Sequence, residues 1–117
     1  MRCDVQLLDS KGESWFVGER ELPTDYILKM AAKRKPAVKE KGLEYAQGAI
    51  PFFGAELVKV VKAGGTEDDI DKAVIELALA TVVVESCMGI EDALLAKRDL
   101  RLTVHADGAV RYDRIDK

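Results

Sequence analysis

The chain has 117 residues, enough for one domain with a real core and too few for two ordinary ones. Its 48% hydrophobic content with few prolines excludes a disordered chain. The net charge of −3 is too small to direct the protein towards nucleic acid or an anionic membrane by bulk charge.

The first segment, "RCDVQLL", alternates: Cys3, Val5 and Leu7 face one way, Arg2, Asp4 and Gln6 the other. "SWFVGEREL" is extended and rich in aromatic and branched side chains. "DSKGE" between them supplies turn chemistry, with Gly12 able to take a positive φ. A β-hairpin over residues 1–22 follows. No secretory leader is expected, because Asp4 interrupts the place where an apolar run should lie.

The middle, residues 24–98, reads as helical. Thr24 after Pro23 is placed to cap a helix through "DYILKMAAKRK", with Tyr26, Ile27 and Met30 towards the core. Pro36 is expected to end or kink it. "AVKEKGLEYAQ" is a weaker helical stretch. "GAIPFFGAELVKVVKAGG" places Pro51 near a helix start and Gly64-Gly65 after its end. Ile50, Phe53, Leu57 and Val60 or Val61 form its apolar face. Thr66 with Asp69 three residues on resembles a capping box, and Glu67, Asp68 and Asp69 suit the positive end of the helix dipole.

From there a helix is expected to run to about Lys97, unless Gly89 kinks or splits it. Its middle, "IELALATVVVESCMGIEDALL", is the most apolar stretch of the chain, yet carries Glu85. A membrane span is excluded, since that needs roughly 20 apolar residues. The uncharged run between Glu76 and Glu85 is less than half as long. Residues seven apart nearly eclipse on a helix, so Asp71, Ala78, Glu85 and Asp92 share one stripe. Leu77, Leu79, Val82, Val83, Val84 and Met88 fill other columns. The expectation is an interior helix with one narrow acidic edge, on which Glu85 reaches water. So wide an apolar girth needs cover from the shorter helices and a sheet, or from a second copy.

The last segment, residues 100–115, repeats the hairpin design. Leu100, Leu102, Val104 and Ala106 alternate with Arg101, Thr103 and His105, and Asp107-Gly108 is a strong turn signal. Isolated hairpins are marginal in water, so the two should join. The fold class is therefore α+β: one domain over 1–117 in the order ββ-ααα-ββ. Its single antiparallel-type sheet would pack on a helical layer with a long central helix.

Chemistry is sparse. Cys3 and Cys87 lie far apart with no CxxC pair, which suits two reduced thiols and a cytoplasmic location. Both are expected in apolar surroundings, where a thiol is unreactive. His105 is the sole histidine, so no zinc signature arises. "TEDDID" lacks the ligand spacing and central glycine of a calcium loop. No phosphate-binding glycine motif appears. No metal, cofactor or catalytic residue is assigned.

Charge is segregated along the chain. Lys29, Lys33, Arg34, Lys35, Lys39 and Lys41 meet only Glu40, whereas Glu67 to Asp92 holds eight acids and one lysine, Lys72. Three functions compete. The leading one is a non-catalytic protein-binding module, an inhibitor, immunity or accessory protein, acting by surface complementarity on a protein partner or on itself as a homodimer. Its expected contact residues are those six basic side chains with Glu85 and Asp92. An exposed apolar patch bordered by either charge group would mark it. The alternative is a nucleic-acid-binding accessory protein using the Lys29–Lys41 segment, although aromatic platforms are missing apart from Tyr26 and Tyr45 at its borders. The third is a small enzyme with Glu85 and His105 as an acid–base pair in one cleft.

Overall fold

A computed structural model describes residues 1–91 and 98–116. The elements run β1 (Arg2–Leu8), β2 (Ser14–Glu21), α1 (Thr24–Lys41), α2 (Leu43–Lys62), α3 (Glu67–Cys87), β3 (Arg98–His105) and β4 (Val110–Asp116). This is the α+β order ββ-ααα-ββ. The four strands form one sheet in the order β2-β1-β3-β4.

The sheet is mixed. Each hairpin is antiparallel, but β1 and β3 meet in parallel, where an antiparallel seam was expected. Side chains alternate with period two in either orientation, so the pattern along a strand carries no information on the direction of its neighbour. The three helices supply the long crossover that a parallel pair needs.

Both turns close as their glycines suggest. Gly12 has φ 81° and Gly108 φ 92°, and the Asp9 carboxylate accepts from the N–H groups of Lys11 and Glu13, both at 2.9 Å. Trp15 is the extra residue of a bulge where Leu7 pairs with Phe16 and Leu8 with Ser14.

The helix boundaries differ from expectation for one reason: glycine, not proline, sets them. α1 continues through Pro36 to Lys41, and α2 runs from Leu43 through Pro51 to Lys62. Pro36 and Pro51 are exposed, as are Ala32 and Gln47 four residues before them. The carbonyls deprived of a partner by each proline therefore lie on the wet side, where water can replace the lost bond. The chain breaks instead at Gly42, with φ 96°, a conformation other residues rarely adopt. Thr24 is not a cap; Pro23 holds that position, and the Thr24 hydroxyl oxygen accepts from the Met1 nitrogen.

α3 opens with the expected capping box: Thr66 Oγ1 accepts from the Asp69 N–H, and the Asp69 carboxylate accepts from the Thr66 N–H, both at 3.2 Å. It ends at Cys87 rather than near Lys97. Gly89 takes φ 91°, and the N–H groups of Gly89 and Ile90 return to the carbonyls of Ser86 and Glu85, each at 3.1 Å. That is a glycine-terminated Schellman cap. Met88 lies beyond the last turn and is consequently exposed, not in the core.

One hydrophobic core lies between sheet and helices. Cys3, Val5 and Leu7 of β1 and Leu100, Leu102 and Val104 of β3 point into it at 0–2% exposure. Ten consecutive residues of α3, Leu77 to Ser86, are buried, so the second half of this helix is enclosed on every side. α2 touches the second hairpin closely at Gly54, where a Cβ would stand 2.4 Å from Val110 Cγ2 and 2.7 Å from the Gly108 carbonyl. In α1, Ile27 and Ala31 are buried, while Tyr26, expected inward, is exposed. Among the described residues, no helix is long and apolar enough to cross a membrane.

Candidate interaction surface

The stripe through Asp71, Ala78 and Glu85 faces the sheet, not solvent. Register places Arg20, Cys3, Leu100 and Arg114 in one row across the four strands, and this row belongs to the helix-facing side. The arginines occupy its two ends and reach opposite ends of α3. Arg20 Nε donates to Asp71 Oδ1 at 2.6 Å and Nη2 to Glu67 Oε2 at 2.7 Å. Arg114 Nη2 donates to Glu85 Oε1 at 2.7 Å, with Nε 3.1 Å from both carboxylate oxygens.

Glu85 was expected at a wet edge; it is 4% exposed and lies inside. A carboxylate can be buried there because its fork-shaped partner is buried with it. Arg114 also donates from Nη1 to the Arg98 carbonyl at 3.3 Å. The pair thus forms a sealed internal tie between α3 and β4. Burial, and secondarily the Glu85 charge, raise the Tyr112 hydroxyl, while Arg114 opposes the shift. Cys3 is buried and its thiol is pushed up to about 12, chiefly by desolvation, so it is unreactive at neutral pH. Cys87 is only half-buried, being on the last turn of α3.

The structure does not bring Glu85 and His105 together. Leu100, Leu102 and Val104 point to the helices, so His105 points to the opposite face of the sheet, in a hollow with Asp9, Ser10 and Asp107. An acid–base pair needs hydrogen-bond reach, and the sheet stands between them. Asp92 lies outside the described residues.

The basic segment is one helix but not one stripe. At 100° per residue, Lys29 and Lys33 share one flank of α1 and Lys35 and Lys39 another. Arg34 and Lys41 lie beside the core line. Arg34 donates to Glu76 of α3 at 3.3 Å, and Lys41 sits 4.7 Å over the Tyr45 ring of α2. The six basic side chains are thus spread over two flanks and the core line of α1.

The apolar patch that would mark a binding module lies beside these last two cations. Phe52 is 60% and Tyr45 53% exposed. With Ala49 they follow an i, i+4, i+7 line on the outer side of α2. Three shallow hollows join end to end along it. One of ≈570 Å³ lies between α2 and α3, floored by Phe53, Val60 and Ala73. The next, of ≈470 Å³, is walled by Tyr45, Ala49, Phe52 and Phe53. The last is closed by Arg34, Val38, Lys41 and Tyr45. Phe52 and Phe53 pack edge to face with centroids 5.2 Å apart, a favourable arrangement for two aromatic rings.

Sequence reasoning missed Phe52, because Phe53 already satisfied the core line of α2. A second apolar line through Tyr45, Ala49 and Phe52 was the available signal. It also missed Arg114, although alternation with Val110 and Tyr112 puts that arginine on the apolar face of β4, where a carboxylate partner is required.

Among the described residues, fold and surface together define an α+β domain with one sheet face uncovered, a helical layer on the other, and an aromatic trough across that layer. Compared with protein-family models, curated proteins and solved structures, the chain matches none of them.

Proposed function

We propose that the chain is a non-catalytic protein-binding module of the inhibitor, immunity or accessory kind, and that it docks a protein surface in the trough along α2. The supporting observation is the pair of exposed rings Tyr45 and Phe52, with half-buried Ala49 between them, bordered by Arg34 and Lys41. Aromatic side chains held rigidly at a surface lose little freedom on binding and bury much area, which makes them the usual anchors of interfaces. Arg34 and Lys41 supply the polar rim at one end. Of the residues expected to make contact, these two lie at the trough. Lys29, Lys33, Lys35 and Lys39 are on other flanks of α1, and Glu85 is inside.

The test is retention on immobilised full-length protein, wild type against Phe52→Glu. The expected result is a protein held by the wild type and lost by the variant, with far-ultraviolet circular dichroism unchanged. Equal retention by both would remove the trough as the docking site.

A further inference from the structure

We infer that the free edge of β4 docks a second copy of the chain, the two β4 strands pairing antiparallel about a two-fold axis at Tyr112 and joining two four-stranded sheets into one. This edge is separate from the trough along α2, and the two stand or fall independently. β4 is an outer strand of the sheet. The His105 N–H donates to the Ala109 carbonyl at 2.8 Å, which sets the phase of the β3–β4 ladder. Bonded and non-bonded pairs alternate along an antiparallel ladder, so Thr103 with Arg111 and Arg101 with Asp113 exchange the bonds. The N–H and C=O groups of Val110, Tyr112 and Arg114 therefore point away from β3. Among the described residues, no backbone group outside the sheet bonds to them.

This phase restricts self-pairing. Strands related by a two-fold axis across the sheet edge run antiparallel, and outward-pointing groups must meet outward-pointing groups. An axis at Tyr112 pairs that residue with its own copy, and Val110 with Arg114, through backbone hydrogen bonds. On the uncovered face of the sheet Arg111 then stands opposite Asp113 of the other copy, twice by symmetry, and Ala109 opposite Ile115. Moving the axis to Arg111, Asp113 or Arg114 sets that charge against itself. Arg111 and Asp113 are exposed, and neither forms an ion pair with another described residue, so both are free to pair across the axis. Charges on an edge strand ordinarily deter a neighbouring strand; here they favour one register, because unlike charges directly opposite are stabilising and like charges are not.

The other outer strand has no such register. The Leu22 N–H donates to the Met1 carbonyl at 2.8 Å, so the outward groups of β2 are those of Val17, Glu19 and Glu21. In that phase its one cation, Arg20, meets neither Glu19 nor Glu21 of an antiparallel copy, and it is already held by Asp71 and Glu67. The bulge at Trp15 distorts this edge further.

Sedimentation equilibrium on the full chain tests the pairing. The wild type should dimerise with a dissociation constant of about 10–100 μM, as suits a small interface. Arg111→Asp and Asp113→Arg should each weaken it about tenfold or more, since each sets two like pairs across the axis. The double variant should return to within about threefold of the wild type, because the exchanged charges again face their opposites. Val17→Lys, on the other edge, should leave the dimer unchanged. A second readout needs no substitution: amide exchange at Val110, Tyr112 and Arg114 should slow as the wild type is concentrated, while Arg111 and Asp113, already bonded to β3, should change little.

A wild type that stays monomeric at about 1 mM, a dimer indifferent to Arg111→Asp, or a dimer that Phe52→Glu abolishes would each overturn the inference. So would a folded double variant no tighter than the single ones. If the double variant does not fold, exchange at Tyr112 that is independent of concentration overturns it instead.

Discussion

The two ends of α3 are tied to the sheet by the same chemistry in opposite surroundings. At the start, Arg20 reaches Asp71 and Glu67 with side chains 20%, 45% and 78% exposed. At the end, Arg114 and Glu85 are 7% and 6% exposed. Both arginines belong to one cross-strand row, and both bonds are short. Geometry alone would rank them equal. Water does not: exposed charges are already well solvated, so pairing changes little, whereas a buried charge without its partner has neither water nor counter-ion. The helix is laced at one end and sealed at the other.

Breaking the sealed end should have the largest effect. Glu85→Ala strands Arg114 in the core and should reduce unfolding free energy by about 3–5 kcal/mol in urea melts. Glu85→Leu combined with Arg114→Met should regain most of it, because an apolar pair needs no solvation. If the double variant were no better than the single one, the bond itself, not the orphaned charge, would be what matters.

Cys3 lies between the two arginines and reports how dry the row is. Its thiol stands at about 12 against an ordinary 9.0. A raised value means that the folded state favours the neutral form. The associated stability is intact below pH 9 and is lost as pH rises towards 12, by roughly 1.4 kcal/mol per pH unit. The raised Tyr112 hydroxyl acts in the same direction. Urea midpoints from pH 8 to 10.5 should fall steeply for the wild type and less steeply for Cys3→Ala; parallel slopes would mean the row is wet.

At the open end effects should be smaller. Thr66→Ala removes one half of the capping box and should cost about 1 kcal/mol. Arg20→Ala should cost about 0–1 kcal/mol and lose even that in high salt. A loss at Arg20 matching that at Glu85 would erase the contrast between the ends.

The local grammar was legible in the sequence: two hairpins with glycine turns, a capped third helix, and an apolar rod within the fold. These follow from short-range sterics and from side-chain period, which neighbouring residues settle among themselves. Two local readings failed for a tertiary reason. Pro36 read as a break and Pro51 as a helix start, yet both lie inside helices and face solvent, and only packing decides which side of a helix is wet.

The stripe through Asp71, Ala78 and Glu85 was also correctly read as one line on the helix. Its direction was not, because a carboxylate line signals a wet edge only while no arginine stands opposite. Arg114 is 29 residues further on, and register across a parallel seam brought it there. The seam has the same cause, since alternation is blind to a neighbour's direction. So is the surface bearing Tyr45 and Phe52: apolar residues on two sides of α2 state that both want cover, but only the packed fold shows which side received it.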